Sequence, residues 1–460
     1  MNRLLAILAG CVSLGYCFLS FPDGATAILL TGVLSLAMAW TIKYVDDDVR
    51  FLIDIFVIAL ILRLLLGGAI YYFGLFEFFG PDARTYEYVG KLIADVWAGT
   101  GDASDPFTKR VMQTSGPGWG MNYFSGAIYW LAGSNLLVGQ AVCAFFGAAT
   151  SPLIYWCTKR IFLNRQAARY SAILVAVFPS MIVWSSQFLK DGLMIFFLVL
   201  SMTMVFEIQR RFNLLSVAIL AFSLFSIFSL RFYIFYMVAI SVFGSFVVGL
   251  STSTKAIFRR LIAVAVIGIA LAFFGVFQSA SSDFENFANI ERFESSRKWA
   301  SEVSGSGFAQ SSDAKVTTAA GALTVLPIGL MYILLAPFPW QATNFRQAVT
   351  IPEILIWWSM IPLAIYGLIF AIKNRLKPAI PVLVFSSMLA IVYALFQGNA
   401  GTAYRQRTQI QVFLFMFIAV GWVLIKERRE NVQIERRRRR EMFEASLKDR
   451  MGGPPPGDRN

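Results

Sequence analysis

The sequence contains no histidine among its 460 residues and only four cysteines, and Asp, Glu, Lys and Arg together make up just 15% of it. The missing histidines exclude imidazole general-base chemistry, histidine haem ligation and most zinc sites. Cys11, Cys17, Cys143 and Cys157 all lie inside apolar stretches, so neither a disulfide framework nor a cysteine metal cluster is readable. A soluble domain carries roughly 25% charged residues. With 15% charged against 57% hydrophobic, a water-soluble enzyme, a disordered chain and a fibrous protein are all excluded. What is abundant is apolar bulk: phenylalanine alone occurs 43 times, a usage that suits lipid-facing helices. The formal net charge of +13 then reports membrane topology rather than a nucleic-acid partner.

A spanning helix needs about 20 apolar residues. Runs of that kind occur near 4–21, 25–42, 51–75, 134–157, 167–185, 191–208, 213–230, 232–250, 260–278, 353–372, 379–397 and 408–425. Continuous runs of this length are not the alternating strands of a membrane barrel. The predicted fold is an all-α polytopic membrane protein with about 12 transmembrane helices, re-entrant or interfacial helices, and two long outer loops.

Basic residues orient it. Arg3, Lys43 with Arg50, Lys159 with Arg160 and Arg165, Arg210 with Arg211, Lys255 with Arg259 and Arg260, and Lys373 with Arg375 and Lys377 fall at alternate helix ends. By the positive-inside rule these loops are cytoplasmic and so are both termini, as expected of a multi-pass protein of a bacterial cytoplasmic (inner) membrane. Counting 321–338 as a further span would break this parity. It is therefore read as a re-entrant or interfacial segment, broken by Pro327 and stopped by Pro337 and Pro339, and 120–133 is read as interfacial too.

The expected organisation is a transmembrane domain over 1–425, with outer segments at 76–120 and 279–352 (Ser-rich over 279–320), and a basic cytoplasmic tail over 426–460. Loops this long are usually functional or disordered. The tail, with its run Arg436 to Arg440, reads as an anchor on anionic membrane lipid or as a partner-binding tail, and Gly452 to Gly457 reads as disordered. Leu8-Ala9-Gly10-Cys11 mimics a lipoprotein processing box. Too few apolar residues precede it, so it is read as part of the first span.

Four polar clusters on the outer side stand out. In Gly80 to Tyr88 (GPDARTYEY), Asp82 follows a helix-stopping proline, with Arg84, Tyr86 and Glu87 beside it. Such an acid is either a base or metal ligand toward a lipid-linked substrate, or a helix cap. In Pro179 to Asp191 (PSMIVWSSQFLKD), Asp191 suits a helix N-terminus, whereas Lys190 opposes the helix dipole and suits a phosphate. Arg231 stands alone at a hairpin tip. Arg405 and Arg407, in Gly398 to Arg407 (GNAGTAYRQR), break the positive-inside pattern, and their forked cations suit phosphate. Within the spans, Arg63 needs a partner other than Asp54, which lies on the opposite helix face; an ion pair and a substrate contact are both open. Asp283, Glu285, Arg292, Glu294, Arg297 and Lys298 read as a solvated face.

Together GPDARTYEYVG, the loop to Gly118-Trp119-Gly120 and FPSMIVWSSQFLKDG resemble the GT-C superfamily, whose members are multi-spanning glycosyltransferases using polyprenyl-phosphate-linked sugars, including the protein mannosyltransferase-like group. LAPFPW (Leu335 to Trp340) and GTAYRQR are similar to exopolysaccharide-cluster members of that kind. The resemblance implies an inverting transferase that moves a sugar from a polyprenyl-phosphate donor to a glycan, lipid or protein acceptor on the outer face. It implies that Asp82 is the general base and that Asp191 is a second acid of the site, so both are candidate catalytic residues. Arg84, Tyr86, Glu87, Lys190, Arg231, Arg405 and Arg407 are the candidate substrate-binding residues. Lys190-Asp191 stands where an adjacent acid pair is expected, so no cofactor is assigned and a divalent metal stays open.

Two rival classes remain on the sequence. An O-antigen-type polymerase or ligase would lean on a large late basic loop, whereas the long acidic loop here is early. A non-catalytic lipid-glycan transporter predicts internal repeats, and none is visible between the halves.

Overall fold

The computed structural model describes residues 3–113, 118–248, 319–342 and 345–451, with isolated residues between 262 and 271. Among them the chain is helical: α1 Arg3–Leu19, α2 Asp23–Val45, α3 Val49–Tyr72, α4 Phe76–Phe79, α5 Asp82–Trp97, α6 Pro106–Val111, α7 Trp119–Ala132, α8 Leu136–Phe162 and α9 Arg165–Val177. The order continues with α10 Pro179–Ser185, α11 Lys190–Arg210, α12 Leu214–Leu230, α13 Phe232–Val248, α14 Ala319–Leu335, α15 Phe345–Ala348, α16 Ile351–Asn374, α17 Leu376–Phe396 and α18 Ala400–Met451.

Among the described residues six helical segments are long and apolar enough to cross a membrane, or seven if α9 and α10 form one span bent by 54°. Four shorter apolar helices, Arg3–Leu19, Leu214–Leu230, Phe232–Phe246 and Leu323–Leu335, accompany them. The protein is thus a multi-pass membrane protein, as the composition requires, and the described residues do not confirm the expected count of 12 spans. The span at 260–278, the solvated face at 283–298 and the Ser-rich stretch 279–318 lie outside the described residues, as does Gly452 to Gly457.

Residues 321–335 form one unbroken helix. Pro327 sits inside α14 rather than breaking it, and the helix stops just before Pro337, as expected. It packs closely on α17, where Gly329 meets the backbone of Ala394. The tail is likewise helical as far as Met451, continuous with the last apolar segment.

The core is formed by α8, whose side chains are almost all buried, surrounded by α2, α3, α9 and α11. A second layer pairs α16 with α18. Gly367 meets the backbone of Phe417 there and Gly421 meets that of Leu363, the small-residue contact by which apolar helices approach without a hydrophobic driving force.

Arg63 shows how the bend between α9 and α10 is held. Pro179 has no N–H for the Val175 carbonyl, so the last turn of α9 lacks its normal donors. The fully buried Arg63 supplies them: Nη2 donates to Val175 O at 3.0 Å, Nη1 to Ala176 O at 3.1 Å, and Nε to Ser185 Oγ at 2.8 Å. Among the described residues it forms no ion pair. The bend it braces directs the chain through Ser186–Leu189 into Lys190 and Asp191.

Candidate active site

Four distant segments meet at one end of the bundle. Pro81 starts α5 with Asp82 in its first turn, but the Asp82 carboxylate caps nothing. Its Oδ2 instead accepts from Arg405 Nη1 at 2.9 Å, 323 residues away in sequence. Arg405 projects from the start of α18 and also donates through Nε to Asp191 Oδ2 at 2.7 Å. Asp191, in the first turn of α11, is wholly buried, and its Oδ1 accepts from Arg231 Nη2 at 2.8 Å. Arg231 ends α12, and its Nη1 reaches the Tyr233 hydroxyl at 3.3 Å.

The charge balance of this cluster is uneven. Asp82 and Asp191 face Lys190, Arg231 and Arg405, which leaves one positive charge in excess. Lys190 forms no ion pair among the described residues. Its Nζ lies 3.0 Å from where a Cβ would stand on Gly118. Gly118 also has φ +83, a left-handed conformation that glycine adopts freely. Glycine there both starts α7 and leaves room for the lysine.

Asp82 and Arg405 look into a cavity of about 560 Å³ whose walls are largely apolar: Phe78, Phe79, Trp184 and Pro337 among others. The Arg405 guanidinium lies over the Trp184 ring, 5.4 Å from its centroid. Asp82 is half exposed, whereas Asp191 is fully enclosed. Lys190, Asp191 and Arg231 stand behind Asp82 and Arg405 rather than in the cavity wall.

Not every predicted residue gathers here. Tyr86 lies beside the cluster; burial first, then the charges of Asp82 and Asp191, push its phenol up to about 12, so it stays a neutral hydroxyl. Arg84 and Glu87 pair with each other at 2.9 Å on an exposed helix face, with Arg84 over the Phe76 ring, and neither lines the cavity. Arg407 lies apart from the cluster. It is fully buried, donates to Ala336 O at 2.6 Å, and stacks near Trp357 and Tyr404, so it fastens the end of α14 instead of facing the cavity. One residue of helix rotates 100°, which separates Arg407 from Arg405 across two positions.

Three cavity residues were not singled out from sequence. Glu353 opens α16 and accepts from the Tyr404 hydroxyl at 2.6 Å, both in the cavity wall. An acid at the start of an apolar run is a functional signal in a membrane segment. Arg346 donates to Glu77 O at 2.7 Å and tethers α15 to α4 across the cavity rim. A backbone acceptor so distant in sequence leaves no trace in local spacing.

Among the described residues no cluster of three acidic or cysteine groups is placed to hold a metal ion. The two carboxylates of the site share the Arg405 guanidinium.

Residues 98–277 match the family model described as dolichyl-phosphate-mannose-protein mannosyltransferase. That segment contains Lys190, Asp191 and Arg231 but not Asp82 or Arg405. No curated protein matches the chain. Among solved structures, the apo oligosaccharyltransferase of Archaeoglobus fulgidus superposes with TM-score 0.52 at 14% identity, over 85% of this chain and 52% of that one. A second structure of the archaeal oligosaccharyltransferase, in complex with an inhibitory peptide and a dolichol-phosphate, gives TM-score 0.48 at 14% identity over 89% and 53%. The chain spans about half the length of those enzymes. In line with the resemblance read from the sequence, the chain matches the dolichyl-phosphate-mannose-protein mannosyltransferase model over 98–277 and shares the helical fold of the archaeal oligosaccharyltransferase.

Proposed function

We propose that this protein is an inverting membrane glycosyltransferase that takes a sugar from a polyprenyl-phosphate donor and passes it to a hydroxyl of a glycan, lipid or protein acceptor. The observation that carries the reading is the meeting of Asp82 and Arg405 at the wall of one apolar cavity, backed by a cluster with one surplus positive charge. The family match over 98–277 and the shared fold support it.

In this mechanism the donor's polyprenyl chain lies along the apolar wall and its phosphate against Arg405. The half-exposed Asp82 carboxylate takes the proton of the acceptor hydroxyl. The acceptor oxygen bonds to the anomeric carbon as the bond from that carbon to the phosphate oxygen breaks, and the electron pair leaves with the phosphate. The charge gained by that phosphate is opposed by Arg405, with Lys190 and Arg231 behind it adding to the local field. Asp191 does not touch substrate; held by two arginines, it fixes the fork of Arg405 toward Asp82 and is a positioning residue. Arg84, Glu87 and Arg407 have no part in this mechanism. Catalysis takes place on the outer face of the membrane, with both termini on the other side.

The test is steady-state transfer in proteoliposomes with a polyprenyl-phosphate sugar donor. Arg405→Lys, which keeps one charge but loses the fork, raises the donor KM and lowers kcat by about tenfold or more. Unchanged donor KM and kcat would show that the phosphate does not lie against Arg405.

A further inference from the structure

At the opposite end of the bundle α18 outruns its neighbours. α16 ends at Asn374 and α17 begins at Leu376, while α18 continues unbroken to Met451. Just where the packed part of α18 ends there is a second cavity, of about 520 Å³, lined by Tyr366 of α16 and by Ile425, Arg428, Arg429, Val432, Gln433 and Arg436 of α18. Positions 425, 428, 429, 432 and 436 are spaced by three and four, so they form one stripe of the helix. The stripe is amphipathic along its length: Ile425 and Tyr366 at the bundle end, then guanidinium groups.

Some basic residues of this region are ion-paired, and among the described residues Arg438, Arg439 and Arg440, which do not line the cavity, are not. Lys426 and Arg437, off the stripe, pair with Glu430 at 3.8 Å and Glu441 at 2.9 Å. Arg428, Arg429 and Arg436, on it, form no ion pair among the described residues. Three uncommitted guanidinium groups thus surround a cavity whose inner end is apolar and continuous with a membrane-crossing segment. Guanidinium forks match phosphate oxygens, and polybasic segments next to a membrane helix attract anionic lipid at about 1 kcal/mol per residue.

We infer that this cavity is a binding site for one anionic phospholipid. Its phosphate is held by Arg428, Arg429 and Arg436, and an acyl chain lies along Tyr366 and Ile425. The inference concerns a discrete site, not general attraction of a basic tail to a charged surface, and it does not depend on the proposed reaction.

The test uses the full chain in detergent, with bound phosphatidylglycerol and phosphatidylcholine counted by native mass spectrometry. One phosphatidylglycerol is expected to remain bound in preference to phosphatidylcholine. The variant Arg428→Ala/Arg429→Ala/Arg436→Ala should weaken it by about 100-fold. Lys426→Ala/Arg437→Ala/Arg438→Ala, which removes the same charge off the stripe, should retain it. Equal weakening in both variants would show a diffuse electrostatic effect and overturn the site. So would equal retention of the two lipids. Displacement by millimolar inorganic phosphate would mark a free-anion site and overturn the lipid assignment.

Discussion

The molecule has two clusters of carboxylates and arginines, one at each end, built from the same residue types for different ends. At the end away from the candidate active site, Asp48 accepts from Arg169 Nε at 2.7 Å and from Arg165 Nε at 3.0 Å, while Lys159 pairs with Asp46 at 2.7 Å. These residues come from the α2–α3 corner and the α8–α9 hairpin. The pairing ties two connections together, the arginines are about half exposed, and none of these residues lines either cavity described above. At the other end Arg405 joins Asp82 to a fully buried Asp191 and opens on a large apolar cavity, and Lys190 behind it forms no ion pair among the described residues. Both clusters set two carboxylates against three cations, so what marks a candidate site is burial and an opening to a cavity. Charge pairing alone does not distinguish the two.

Variants at the two ends should therefore separate folding from transfer. The largest loss of stability is expected for Arg231→Ala. It strips one partner from a wholly buried carboxylate, which costs about 3–5 kcal/mol; thermal melting in detergent reads it, and Arg231→Lys should recover part of the loss. Lys190→Ala should leave melting nearly unchanged and lower kcat/KM for the donor by about 100-fold, because it removes a cation that forms no ion pair among the described residues. Melting that falls as far as for Arg231→Ala would make the lysine a structural residue.

Asp48→Asn should cost about 1–3 kcal/mol of stability and leave transfer per folded molecule unchanged. Burial by itself raises the Asp48 pKa, but hydrogen bonds and charges of Arg169 and Arg165 overcome that and hold it below the usual carboxylate range. Its stabilising effect is thus complete above the unfolded-state value of about 3.9 and is lost as pH falls through the lower folded-state value. The wild-type melting temperature should drop faster below pH 4 than that of Asp48→Asn. Parallel curves would remove Asp48 as the cause. The smallest effect is expected for Arg84→Ala, whose exposed pair with Glu87 is worth about 0–1 kcal/mol; loss of transfer there would place Arg84 at the site after all.

Helix positions were legible because lipid demands continuous apolar runs. The runs at 25–42 and 191–208, for example, lie inside α2 and α11. The run at 167–185 was legible as one segment but not as two, since the bend depends on Pro179 combined with a distant Arg63. Lys190, Arg231 and Arg405 were visible as cations out of place under the positive-inside rule. The particular ion pairs that join Arg405 to Asp191 and Asp82 were not, because they span 214 and 323 residues of sequence. The place of Arg407 on another face of α18 was not legible either, because proximity in sequence to Arg405 says nothing about which helix face it occupies. Glu353 escaped notice because an acid in a helix's first turn also satisfies the helix dipole.

The central claim is that Asp82 acts on the acceptor from the wall of the cavity. The most direct measurement is the rate of sugar transfer from a polyprenyl-phosphate donor by Asp82→Asn and wild-type protein in the same vesicles, each normalised to folded protein. The account predicts a loss of about 10²–10⁴-fold for Asp82→Asn with melting little changed. Transfer at the wild-type rate would contradict it.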